Sequence, residues 1–157
     1  MKFALNGALT MGTLDGANIE IMEEVGEENI FIFGLKTEEI AKMNELGSYH
    51  PREHYEGNES VRRVLDALKS NLFCPNEPAL FEWIFHAMLE GGDGYFHLAD
   101  LPSYLEAQAK ANDDFANQNL WRRKAILNVA RIGKFSSDRT IREYAEDIWD
   151  IKSIPSG

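Results

Sequence analysis

The sequence predicts an α/β fold that is mostly helical. Three observations lead there. Asn29 to Phe33 is a β-branched and aromatic run ended by Gly34, and Thr37 to Leu46 behind it has helical spacing and a stop at Gly47. Strand, short loop and helix make half of an α/β crossover unit. From Val61 onward the apolar residues recur at threes and fours rather than twos. The chain has 157 residues, 44% hydrophobic and 27% charged, which fits one ordinary domain or two very small ones.

The elements follow in order. Met1 to Gly16 is rich in small and apolar residues and reads as a short buried helix, a short buried strand and a turn at Asp15-Gly16. Ala17 to Gly26 reads as a short acidic helix. Val61, Val64, Leu65 and Leu68 share one helical face. Pro78 suits the first turn of a further helix, where its missing N–H costs nothing. That helix is expected to reach Leu89, to bury Leu80, Phe81, Ile84, Phe85 and Met88, and to end at Gly91-Gly92-Asp93-Gly94. Tyr95 to Ala99 reads as a short strand or an extended link. Asp100 is an N-cap candidate for a helix to about Asn112, with Pro102 in its first turn. Trp121, Ala125, Ile126 and Val129 mark another helix closed near Gly133. Ser137 or Asp138 caps the last one, whose apolar face is Ile141, Tyr144, Ala145 and Ile148.

Charge excludes several functions. Sixteen basic residues against 26 acidic ones give −10, which argues against general nucleic-acid binding and a basic membrane-surface role. The imbalance is concentrated: residues 1–100 carry 7 Lys/Arg and 18 Asp/Glu, residues 101–157 carry 9 and 8. No apolar run is long enough to span a bilayer. No export signal opens the chain, and the lone Cys74 excludes an intrachain disulfide framework, so a cytoplasmic location is the simplest expectation.

Side chains offer few motifs. His50-x-x-x-His54 has metal-ligand spacing, but Pro51 disfavours a helix reaching back to His50, and surface histidines are the reading taken. Cys74 precedes Pro75 with no basic neighbour to activate it. Gly12-x-x-x-Gly16 lacks the Lys-Ser/Thr end of a P-loop and the start of a dinucleotide fingerprint. Arg122-Arg123-Lys124, with Arg131 and Lys134, forms a basic stripe near Trp121 and Phe135; given the acidic total it reads as a solvated or salt-bridged helix face. By spacing alone nothing marks out Lys2.

Resemblance adds what periodicity cannot. The run Met1-Lys2-Phe3-Ala4-Leu5-Asn6-Gly7-Ala8-Leu9-Thr10-Met11-Gly12-Thr13-Leu14-Asp15-Gly16-Ala17-Asn18-Ile19-Glu20 resembles a signature segment of the α-glucan phosphorylases, the glycogen, starch and maltodextrin enzymes. Gly133-Lys134-Phe135-Ser136-Ser137-Asp138-Arg139-Thr140-Ile141, then Tyr144-Ala145 and Ile148-Trp149, resembles their C-terminal motif, and Asn29-Ile30-Phe31-Ile32-Phe33-Gly34 matches between them. The likeness runs in order along nearly the whole chain.

The resemblance implies a glycosyltransferase of two facing Rossmann-like domains. This chain is expected to be a C-terminal fragment, the last part of the second domain, with residues 1–47 as its α/β portion and 58–150 as its helical portion. The implied reaction is phosphorolysis of α-1,4-glucan to glucose 1-phosphate with retained configuration. Its implied cofactor is pyridoxal 5'-phosphate, held as a Schiff base on the lysine matching Lys2, whose phosphate does the acid–base work. The Gly-rich loop that cradles that phosphate, the substrate-phosphate binders and the facing domain are not in the chain, so the cofactor is not expected on it alone. No other catalytic residue and no metal is assigned. The implied partners are glucan, phosphate and the missing N-terminal portion of the same enzyme. The alternative is a non-catalytic helical subdomain that self-associates into a homo-oligomer.

Overall fold

The computed structural model describes residues 1–152. In chain order the elements are α1 (Lys2–Leu5), β1 (Met11–Thr13), α2 (Gly16–Val25), β2 (Phe31–Phe33), α3 (Thr37–Leu46), α4 (Pro51–Gly57), α5 (Glu59–Lys69), α6 (Glu82–Leu89), α7 (His97–Ala116), α8 (Gln118–Arg131) and α9 (Ser137–Glu143). Single 3-10 turns occupy Glu27–Asn29 and Ile132–Phe135, and one turn of π-helix, Tyr144–Ile148, continues α9. The expectation of a mostly helical α/β chain holds: the two strands pair in a small parallel sheet and helices make up most of the rest. Among the described residues no helix is long and apolar enough to cross a membrane.

The chain divides into two compact units. The first comprises Met1–Thr10, Gly16–Phe31 and the chain from Asp113 onward; the second comprises Met11–Asp15 and Ile32–Asn112.

In the first unit, α8 packs against α1, α2 and the Glu27–Asn29 turn. Its apolar core is built from Ala4, Ile21, Val25, Ile30, Phe31 and Ile132. The short helix expected at the N-terminus is present, but only Ala4 of it is buried, and Phe3 is 84% exposed. The predicted strand loses Asn29 and Ile30: the 3-10 turn takes Asn29, Ile30 follows it, and β2 begins at Phe31. The expected apolar face of α8 is corrected as well: Ile126 is 67% and Val129 48% exposed, while Lys124 and Asn128 are the buried residues of that helix. Polar side chains go inward here because main-chain carbonyls await them. On α9 the N-cap is Ser136, whose side chain accepts from the Asp138 N–H, rather than Ser137 or Asp138. The face of Ile141, Tyr144 and Ile148 is exposed.

In the second unit, α5 and α6 pack on each other and α4 joins both. Val61 and Leu65 of α5 meet Phe85 and Leu89 of α6 and Leu98 of α7. Asn58 caps α5 by accepting from the Ser60 and Val61 N–H groups at 2.9 and 3.1 Å. Val64, expected in the face, is exposed. α4 was not foreseen; Pro51 stands in its first turn. The helix expected from Pro78 starts instead at Glu82, because Ala79 sits at φ 64°, a left-handed conformation no helix continues through. Leu80 is accordingly outside it and exposed. Tyr95–Ala99 is no strand: α7 begins at His97 and continues past Asn112 to Ala116. Asp93, not Asp100, satisfies its first turn, accepting from His97 N–H at 3.1 Å and Leu98 N–H at 2.9 Å. Asp100 lies within that turn and accepts from the Leu35 N–H at 2.8 Å.

Candidate functional site

Lys2 opens α1 as its first helical residue. The four-residue helix is closed by Asn6, whose amide donates back to the Lys2 carbonyl at 2.8 Å. Gly7 then turns the chain at φ +89°, a region that L side chains avoid, and lies 3.7 and 3.9 Å (measured from the position a Cβ would take) from Val129 and Ala125 of α8. Position and aim of the Lys2 helix therefore depend on α8.

The other side of α8 is polar and buried. Lys124 is only 7% exposed; its Nζ donates to the Glu28 carbonyl and lies 2.8 Å from the Asp114 carboxylate. That ammonium also sits 5.2 Å from the centre of the Phe31 ring. One turn on, Asn128 donates to the carbonyls of Asn29 and Lys124 at 3.2 and 3.0 Å. Arg131 donates to the Val25 carbonyl at 3.0 Å, and Asn29 donates to the same oxygen at 2.8 Å. The end of α2 exposes carbonyls without helical partners, and cations are favoured at that end of the macrodipole. One helix thus grips both the Lys2 segment and the main chain leading into β2.

The other sequence candidates fall apart or become structural. His50 is the residue before α4, and His54 packs its ring 5.2 Å from Tyr49. Among the described residues no group of three or more His, Cys, Asp or Glu could hold a metal. The basic stripe is salt-bridged in part: Lys124 pairs with Asp114 and Lys134 with Glu24 at 3.2 Å, while Arg122 and Arg123 are exposed. Sequence reasoning missed Asp93. It is buried, it holds the first turn of α7, and it accepts from the Tyr49 hydroxyl at 2.5 Å. Burial and then this bond push the Tyr49 phenol well above its ordinary pKa. The available signal was the Gly-Gly-Asp-Gly run, read only as a helix stop.

A pyridoxal phosphate group does not fit the residues present here taken alone. Lys2 offers an exposed amine, and the helix it opens has four residues, too few to gather N–H groups for a phosphate. No chemical step is derived through that group.

Comparison with known proteins gives a consistent result. The family model described as carbohydrate phosphorylase matches residues 1–151. Glycogen phosphorylase of Synechocystis sp. is 53% identical over 98% of this chain, that of Bacillus subtilis 49% over 98%, and the human muscle form 45% over 97%. The chain spans 18%, 19% and 18% of the length of these three relatives. A match along almost the whole chain, at identities near one residue in two, places it by descent: the chain belongs to the carbohydrate phosphorylase family.

Proposed function

We propose that this chain works as the C-terminal part of the second, Rossmann-like domain of an α-1,4-glucan phosphorylase, and that it is inactive by itself. The observation that carries the reading is its alignment with under a fifth of each glycogen phosphorylase over nearly all of its own length. In the assembled enzyme Lys2 is the lysine that holds pyridoxal phosphate, and the bound cofactor supplies a phosphate whose second ionisation lies near neutrality. Glucan and inorganic phosphate are then the substrates, glucose 1-phosphate the product, and the cytoplasm the compartment. The duty of this chain's own residues is positional: α8 fixes the Lys2 helix through Gly7 and fixes the entry to β2 through Lys124, Asn128 and Arg131.

Reductive trapping tests the reading. The chain is mixed with pyridoxal phosphate, reduced with borohydride and mapped by mass spectrometry. Labelling spread over the exposed lysines without preference for Lys2 is expected. Selective modification of Lys2 would mean that a working cofactor site forms here, against the incomplete-site argument.

A second reading has its own support. Phe3, Ile126 and Val129 leave an apolar surface on the first unit, and surfaces of that kind favour association. A non-catalytic subdomain that self-associates would bury it. Light scattering over a concentration series decides: a dilute, stable monomer removes this reading.

A further inference from the structure

We infer that Asn6 is a site of spontaneous deamidation, and that its conversion releases the helix that Lys2 opens. Asn6-Gly7 is the one Asn-Gly pair in the sequence; every other asparagine precedes a residue with a side chain. Deamidation starts when the backbone nitrogen of the next residue attacks the asparagine Cγ. Glycine has no Cβ to obstruct that approach, and its backbone reaches conformations closed to other residues. The Gly7 nitrogen bonds to Cγ, the side-chain amide leaves as ammonia carrying the proton, and a cyclic imide remains. Water then opens the ring. Addition at the side-chain carbonyl gives aspartate; addition at the main-chain carbonyl gives isoaspartate, with the chain routed through Cβ. Ammonia leaves and water enters, so no oxidant or reductant is needed.

The geometry slows this reaction without abolishing it. Asn6 is exposed, as are Lys2 and Phe3 before it and Ala8 after it, so water has access. Two hydrogen bonds stand in the way. The Asn6 amide donates to the Lys2 carbonyl at 2.8 Å, which holds the leaving group. The Gly7 N–H donates to the Ala4 carbonyl at 3.0 Å, which holds the nucleophile. Both belong to a helix of four residues, far below the length of about 12 that stands alone in water. Packing keeps α1 in place instead: Ala4 is buried, and Gly7 rests against Ala125 and Val129 of α8. When so short an element opens locally, the nucleophile and the leaving group come free together.

The product cannot rebuild the turn. A carboxylate has acceptors only, so nothing at this position donates to the Lys2 carbonyl. Isoaspartate also lengthens the main chain just before Gly7. That shifts the register of the Gly7 and Ala8 N–H groups, which donate to the Ala4 and Phe3 carbonyls at 3.0 Å each. Conversion of Asn6 therefore loosens the segment that sets the position of Lys2. This goes beyond the phosphorolysis reading, because it concerns the covalent structure of the chain and requires neither cofactor nor turnover.

The test is incubation of the whole chain at mildly alkaline pH, with and without urea, followed by peptide mapping by mass spectrometry. Exchange of ammonia for water is expected at Asn6 before any change at Asn44 or Asn71, which are exposed but precede Glu45 and Leu72. Isoaspartate should accompany aspartate in the product; an aspartate-specific endoproteinase, which cleaves only the latter, separates them. The folded chain should convert about tenfold more slowly than the chain in urea, because two hydrogen bonds must open first. In the Asn6→Asp variant the Gly7 and Ala8 amide hydrogens should exchange about fivefold faster than in the parent, the loss of one hydrogen bond, with exchange in α5 unchanged. Asn6 intact while Asn44 or Asn71 converts, aspartate without isoaspartate, or equal rates in both media overturns the proposal. So does unchanged exchange in Asn6→Asp. Mass and exchange are read, never activity, so the outcome is independent of whether the family reaction occurs.

Discussion

Replacing Lys124 by methionine should destabilise the first unit by about 3 kcal/mol. The side chain is buried, it donates to the Glu28 carbonyl, it pairs with Asp114 at 2.8 Å, and it lies over Phe31. Methionine keeps the stem's packing and removes the charge. Asp114 then stays behind with a side chain 14% exposed, and its buried Oδ2, the atom that the Lys124 ammonium pairs with, loses that partner. Breaking a buried ion pair from one side costs about 3–5 kcal/mol. The residual exposure of Asp114 lets some water in and places the loss at about the lower end of that range. For a chain of this size, that lowers the melting temperature by roughly 6–12 °C. The bond to the Glu28 carbonyl is only part-buried and Glu28 itself is exposed, so water can replace the lost donor there. The double variant Lys124→Met/Asp114→Leu should therefore recover to within about 1 kcal/mol of the parent, since a well-packed apolar pair often matches a buried ionic one. Urea unfolding followed by Trp121 fluorescence, in a background where the exposed Trp83 and Trp149 are replaced by phenylalanine, reads this unit, because the Trp121 ring lies 6.3 Å from Phe31 and 5.2 Å from Phe115. A single variant within about 0.5 kcal/mol of the parent, the range of an ordinary surface substitution, would refute the reasoning. So would a double variant no more stable than the single.

Other expectations follow from the same contacts. Leu65→Ala, in the buried cluster of the second unit, should cost about 2–5 kcal/mol by denaturant unfolding. Asn58→Ala removes the cap of α5 and should cost about 1 kcal/mol. The Tyr49 phenol has a raised pKa in the folded chain, so the folded state holds its proton longer than the unfolded one. That contribution is complete below pH about 10, the ordinary tyrosine value, and is lost as pH rises above it, by at most about 1.4 kcal/mol per pH unit. Tyr49→Phe should be less stable at pH 8 and should show a shallower decline above pH 10; equal slopes in parent and variant would contradict the Asp93 bond.

Much of the architecture was legible in local signals. Gly47 ends α3 in the left-handed conformation that only glycine adopts without cost, and the Val61–Leu65 spacing announced the buried side of α5. What failed depended on distant groups. Nothing near Lys124 in the sequence reveals that carbonyls about a hundred residues earlier need donors, yet those carbonyls turn the polar edge of α8 inward and leave Ile126 outside. Asp100 looked like a cap because it precedes Pro102; Asp93 took that role because the Gly91–Gly94 turn folds it back onto the helix start. Lys2 shows the limit most clearly. Its spacing carries no signal, and only likeness to a family gave it a role.

The most direct measurement is a graft. Residues 1–152 would replace the matching segment of the Synechocystis glycogen phosphorylase, to which this chain is 53% identical, and glucose 1-phosphate formation from maltodextrin and phosphate would be followed. The account predicts turnover by the hybrid, its loss in Lys2→Ala, and none from the separate 157-residue chain. Turnover by the separate chain, or a folded hybrid indifferent to Lys2→Ala, would contradict it.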